Sequence, residues 1–161
     1  MNNKFWQSLK YISPNEFIDD ITLANPQLFI NLNQTRITLN KSIHPSPVEG
    51  SLARLYGRKT SAHYAVGKLS TGVDVFIEGI PLRNFNTLIR QNLFTGIGIY
   101  LDTNGPDGKP WVMFHLDMRP IPLIWFAEKN IKKSGWVYTY ESDRVDFWKK
   151  FRDLRMYINR R

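Results

Sequence analysis

GIGIYLDTNGPDGKPWVMFHLDM, residues 96–118, places two apolar runs rich in β-branched and aromatic residues on either side of a loop built from turn formers. Gly96 to Leu101 and Trp111 to Met118 therefore read as paired strands. The Asp-Thr-Asn-Gly-Pro-Asp-Gly-Lys-Pro segment between them reads as a hairpin loop. Upstream, Pro81 to Asn92 forms a helix with Leu82, Phe85, Leu88 and Ile89 on one face. Before it, Gly72 to Ile77 is short and β-branched like a buried strand, yet carries Asp74, and a buried charge without a partner is costly. Downstream, Trp136 to Tyr140 reads as another strand, and Ser142 to Arg160 as a closing helix with Val145, Trp148, Phe151 and Leu154 inward.

Toward the N-terminus, Ser13-Pro14-Asn15-Glu16 is a capping box with Pro at the first helical position. It predicts a helix from about residue 14 to Ala24 that buries Phe17 and Ile21 and ends at Asn25-Pro26. Phe29, Ile30, Leu32, Ile37 and Leu39 predict more helix, passing into a strand at Arg36 to Asn40. Ser42 to Thr60 reads as loop with one helical turn. There is no repeat and no linker. The expectation is one domain over residues 1–161, α+β, with a small, mainly antiparallel sheet flanked by helices and a basic C-terminal helix over about 142–160.

The 161 residues include ten Phe, seven Tyr and five Trp, which excludes intrinsic disorder, and no Cys, which excludes disulfides, thiol nucleophiles and Cys-based zinc clusters. No apolar run reaches the roughly 18 residues of a membrane span, and the start lacks the apolar stretch of a secretory signal. The net charge is +8. Arg144, Lys149, Lys150, Arg152, Arg155, Arg160 and Arg161 face only Asp146 and Asp153 in the last 18 residues. Such a helix is either a solvated face or a footprint for an acidic polymer or partner. No nucleic-acid-binding motif accompanies it, so specific nucleic-acid binding is not expected.

The three histidines are His44, His63 and His115. His63 lies just before the Asp74 strand and His115 in the returning strand of the hairpin. Two imidazoles and one carboxylate from separate segments make a three-ligand set with a fourth position left for water, as in catalytic zinc sites. A metal would also explain an acid in an apolar strand. By spacing alone, the same residues equally describe core or surface histidines and a salt-bridged acid. Asp117 shares a strand face with His115, two residues on. It is open to three roles: a proton acceptor, a hydrogen-bond partner of a ligand imidazole, or an ion pair with Arg119. His44, beside Pro45 in a loop, reads as a surface residue.

Ser61-x-His63, Gly72-Val73-Asp74-Val75 and His115-Leu116-Asp117-Met118-Arg119 together resemble the M15 zinc peptidases, the group of D-Ala-D-Ala carboxypeptidases and phage endolysins. Tyr11-Ile12-Ser13-Pro14-Asn15-Glu16-Phe17 looks like that family's Ser-x-x-Glu-Phe opening. Gly96-Ile97-Gly98-Ile99-Tyr100 looks like its Gly-Ile-Gly strand, and Trp125 like the Trp that often follows the final motif. The resemblance covers residues 11 to 126, in the family's order. It implies a hedgehog/DD-peptidase-like fold and Zn2+ held by His63, Asp74 and His115. It also implies cleavage of peptide stems or cross-links of bacterial peptidoglycan, in the manner of virion-associated phage enzymes. Such a protein would be made in the host cytoplasm and carried to the virion or cell wall, with the basic C-terminal helix available to an acidic wall or another virion protein. Arg54, Arg58 and Arg119 are then candidates to face a substrate carbonyl or oxyanion, and Ser61 and Tyr64 to touch substrate.

The chain departs from the pattern in three places. His63 and Asp74 are eleven positions apart where the family has seven, an insertion that a loop over 64–70 absorbs at small entropic cost. The Ser-Gly-Tyr-Arg segment is replaced by Ser42-Ile43-His44-Pro45. The residues before His115 are Pro110, Trp111, Val112, Met113 and Phe114, without the acid that serves as general base in many members. The resemblance therefore carries a second expectation, a catalytically weak or inactive structural component of a virion.

Overall fold

The sheet has six strands: β1 (Ile43–Pro45), β2 (Gly72–Ile77), β3 (Gly96–Asn104), β4 (Pro110–Asp117), β5 (Leu123–Lys129) and β6 (Trp136–Tyr140). Their spatial order is β1-β2-β4-β3-β5-β6. Among the described residues four α-helices accompany them: α1 (Asn3–Gln7), α2 (Pro26–Leu39), α3 (Pro81–Gln91) and α4 (Arg144–Asp153). The computed structural model describes residues 1–130 and 134–159, so Arg160 and Arg161 of the basic C-terminal segment lie outside the described residues. The class is α+β, as the sequence predicts, and all pairings are antiparallel except β3 with β5.

The two faces of the sheet differ because side chains alternate along each strand. Val73, Val75, Ile77, Ile97, Ile99, Val112, Phe114, Leu116 and Phe126 share one buried core with Leu28, Phe29 and Leu32 of α2, Phe85 and Leu88 of α3, and Phe147 of α4. The opposite face carries Asp74, His115, Gly98, Trp125 and Tyr140 side by side, since each is register partner of the next across β2, β4, β3, β5 and β6.

Several elements differ from the sequence reading. In place of a helix over 14–24 there are 3-10 turns at Pro14–Glu16 and Ile21–Leu23. The chain is drawn out between them because Asp19 accepts hydrogen bonds from the Gly50 and Leu52 N–H groups at 2.8 and 2.7 Å, which tethers a distant loop. Asn25-Pro26 starts a helix instead of ending one: the Asn25 side chain caps α2 at the Gln27 N–H, and Pro26 occupies the first turn. The strand predicted at Arg36 to Asn40 is the end of α2. There Asn40 closes the helix in the left-handed conformation (φ 49°), and the Arg36 guanidinium bonds Glu16 and the carbonyls of Tyr11 and Ile43.

The region predicted as loop contains the short edge strand β1, and the apolar run around Ile124 is the strand β5. Along α4 and the turn after it the inward stripe is Phe147, the half-buried Phe151 and Leu154, with Val145 83% and Trp148 49% exposed. Steps of four and three track the helix period, whereas the successive three-residue steps from Val145 drift around the surface. Phe147 packs edge-on against Phe126 and Phe151 against Phe85, with ring centroids 5.1 and 5.4 Å apart. The helix is also shorter than predicted. After it, Asn159 is buried between β2 and β4, donating to the Ile77 and Val112 carbonyls at 2.7 and 3.0 Å and accepting from the Val112 N–H at 2.9 Å.

Candidate metal centre

Asp74 and His115 are brought together by register. They are direct partners on β2 and β4, on the face away from the helices. His63 arrives from the long connection between β1 and β2, which is pinned at several points. The Arg54 N–H donates to the His63 carbonyl at 2.8 Å, the Ala65 N–H to the Arg54 carbonyl at 2.9 Å, and the Thr71 N–H to the Ala62 carbonyl at 2.8 Å. Ser70, fully buried, hydrogen-bonds the Leu52 and Ala62 carbonyls. Between His63 and Asp74 the chain is exposed from Val66 to Leu69.

The result is a compact trio. His115 Nδ1 lies 2.9 Å from Asp74 Oδ1 and 3.0 Å from His63 Nε2, and His63 Nε2 lies 3.4 Å from the same Asp74 oxygen. Both imidazoles are buried, and among the described residues these three side chains form the one group of His, Asp and Glu close enough to share a metal ion.

Each imidazole is held from behind. His115 Nε2 is 2.9 Å from Asp117 Oδ2, and His63 Nδ1 is 3.5 Å from the Leu52 carbonyl oxygen. A hydrogen on His115 Nε2 directed at Asp117 leaves Nδ1 to face Asp74 and His63. Three atoms able to carry lone pairs thus converge, and only a cation among them, or a proton in its place, makes that arrangement favourable. Zinc–ligand bonds of about 2.0–2.1 Å in a tetrahedron set neighbouring donors about 3.3 Å apart, so the observed separations fit with small adjustments.

Asp117 is fully buried. It accepts hydrogen bonds from the Arg119 Nε at 2.8 Å and the Arg119 backbone N–H at 3.1 Å. Burial disfavours its charge, but Arg119 and His115 outweigh this and hold the carboxyl well below the usual range. Asp74 is likewise held low, its burial outweighed by His63 and His115. For His115 burial favours the neutral ring, yet the hydrogen bonds and charges of Asp117 and Asp74 prevail and raise it to about 9.

Glycines make this packing possible. A Cβ on Gly96, the partner of Asp117 on β3, would stand 2.1 Å from Asp117 Oδ1, and one on Gly98 would stand 2.5 Å from the Trp125 ring. Trp125 therefore lies across Gly98, 5.4 Å from the His115 ring, with the Arg119 guanidinium over it at 4.7 Å.

The trio opens into a cleft of about 870 Å3. Arg54, Arg58 and Ser61 line its loop side, where Arg54 donates to Ser61 Oγ at 3.0 Å, and Arg119 lines it beside Trp125. Tyr64 is half-buried and does not line the cleft. His44 lies elsewhere, on β1, 3.3 Å from Glu78. The sequence reading missed Tyr100, Trp136, Tyr138 and Tyr140, which also line the cleft. The alternation of three aromatics along Trp136 to Tyr140 was the available signal, since such residues share one strand face. Among the described residues that line the cleft, Asp74 is the one carboxylate.

Compared with family models, curated proteins and solved structures, the chain matches none.

Proposed function

We propose that this chain is a zinc peptidase acting on the peptide stems or cross-links of bacterial peptidoglycan, of the kind carried by phage particles. The observation that carries the reading is the convergence of His63 Nε2, Asp74 Oδ1 and His115 Nδ1 at the floor of an open cleft. His63, Asp74 and His115 would hold Zn2+ there, and the ion would supply a Lewis acid able to polarise an amide carbonyl and make water more acidic. Asp117, shut behind His115, fixes the orientation of that imidazole and has no access to the cleft, so its role is positioning. Arg54, Arg58 and Arg119 set positive charge along the cleft, suited to substrate carboxylates and to an oxyanion developing at the carbonyl. Tyr100 offers a hydroxyl whose pKa is pushed above its ordinary value by burial and the nearby Asp74 charge, so it remains a donor at neutral pH.

The shortage of carboxylates in the cleft favours a second reading, in which the same centre stabilises a virion component that hydrolyses nothing. On either reading the protein is made in the host cytoplasm and carried in the particle. The exposed basic residues of α4 then serve an acidic wall polymer or a neighbouring virion protein. The deciding experiment measures zinc per chain in protein purified without chelator, then incubates the protein with purified peptidoglycan and quantifies newly freed amino groups. About one zinc with release of amines that His115→Ala abolishes supports the peptidase. Zinc without turnover supports the structural component. Absence of zinc, with a melting temperature indifferent to EDTA, overturns both.

A further inference from the structure

An aromatic wall of the cleft is built from Tyr100 on β3 and Trp136, Tyr138 and Tyr140 on β6. These rings are packed in pairs. Tyr100 meets Trp136 edge-on at 4.9 Å, and Tyr138 and Tyr140 lie nearly parallel (18°) with centroids 6.4 Å apart. Tyr138 and Tyr140 are 44% and 39% exposed. A cluster of exposed rings inside a cleft marks a binding surface, and Tyr and Trp suit ligands that are apolar on one side and wet on the other. A pyranose ring has that character, with C–H groups on its faces and hydroxyls around its edge.

Charge narrows the choice. The cleft-lining cations, Arg54, Arg58 and Arg119, come from the loop side and the end of β4, and none of the described lining residues on β3, β5 or β6 is charged. A strand of nucleic acid stacked on these rings would meet cations at Lys129, the register partner of Trp136, and at Arg119, over Trp125, but no row of them along the lining strands. The register sets the scale: His115, Gly98, Trp125 and Tyr140 are successive partners across four strands. At about 4.8 Å per strand, Tyr140 stands about 14 Å from His115, while Tyr100, on the strand next to β4, forms the near end of the wall. A peptide of about four extended residues covers that span.

We infer that Tyr100, Trp136, Tyr138 and Tyr140 form a saccharide subsite that seats N-acetylated amino-sugar rings of the glycan while the attached peptide reaches the metal trio. The choice of sugar rests on the wall-peptidase reading; the subsite itself rests on the rings. The substrate is then a glycan-linked stem and not a free peptide.

The test titrates the full chain with a β-1,4-linked N-acetylglucosamine tetramer, followed by tryptophan fluorescence and by amide chemical shifts on β6. The wild type should bind saturably. Tyr138→Ala with Tyr140→Ala should weaken binding roughly tenfold or more, because two stacking rings are lost. The Phe pair, which keeps the rings, should retain most of the affinity. Both positions are exposed, and an unchanged zinc content and circular dichroism show that the Ala pair is folded. The single Tyr140→Ala variant provides a second measure of the same loss. Absence of saturable binding, affinity unaltered by the Ala pair, or displacement of the sugar by an oligodeoxythymidine that binds the same rings more tightly would each overturn the subsite. Sugar binding without any amide hydrolysis supports the subsite and removes the peptidase reading. Hydrolysis of a stem peptide without sugar binding does the reverse.

Discussion

His115 is gripped at both nitrogens, by Asp117 behind and by Asp74 with His63 in front. Two outcomes follow for a zinc centre. Asp117→Asn keeps the side-chain shape but removes the charge that orients the Nε2–H and pairs with Arg119, so zinc affinity should fall about 10- to 100-fold, measured by competition with a chromogenic chelator. A mutant with unaltered affinity would mean that Asp117 does not position the ligand. The second outcome concerns protons. His115 is raised from 6.5 to about 9, so at neutral pH the metal-free ring carries the extra proton, and its ion pairs add stability that is lost as pH rises through about 9. Metal must displace that proton. Zinc affinity should therefore climb with pH and level off above about 9, and the binding heat at pH 7 should vary with the ionisation enthalpy of the buffer; a buffer-independent heat would contradict this. At this scale the sequence disclosed the ligand types, because a histidine pair and an acid in an apolar strand stand out. It did not disclose the Leu52 carbonyl behind His63, which any residue there would offer, nor the reason for Gly96, which lies in the Asp117 side chain across the strand pair.

α4 provides the clearest contrast between pattern and packing. Phe147 is 2% exposed and wedged between Phe126 and the rest of the core, while its neighbour Trp148 is 49% exposed. Phe147→Ala should cost about 3–5 kcal/mol in a denaturant melt. Val145→Ala, at an 83% exposed site, should stay within about 0.5 kcal/mol. Comparable losses at the two positions would show that the helix is rotated from the arrangement described. The helix itself was legible, but two apolar stripes compete in its sequence, and only the position of Phe126 decides between them. β5 was unreadable for a related reason: a strand buried in a parallel pairing has no polar alternation, and here its apolar run begins inside the Pro120-Ile121-Pro122 turn. α2 was split in the reading because Ile37 and Thr38 look β-like, yet the Thr38 hydroxyl bonds the Gln34 carbonyl one turn back at 3.1 Å, as helices allow.

At the scale of the whole molecule, the hairpin of β3 and β4 and the strand β2 were readable because their patterning is local, and they carry two of the three candidate ligands. The return of His63 to them was not, since it depends on backbone hydrogen bonds through an irregular loop. Zinc held by the trio would tie that loop to the sheet, so chelation should lower the melting temperature. At free zinc a hundred times the dissociation constant the loss is about 2.7 kcal/mol, or roughly 5–10 °C for a chain of this size. An EDTA-treated sample melting with the untreated one would exclude a structural contribution. The spread of the ligands along the chain has a further, kinetic consequence. His63 and His115 belong to segments 52 positions apart, so their approach closes a long loop, and such contacts form after the hairpin has nucleated. A metal that holds contacts absent from the transition state acts on escape from the native state and not on entry to it. In stopped-flow measurements zinc should thus leave the refolding rate nearly constant and slow the unfolding rate, which makes the ion a latch on a fold already reached.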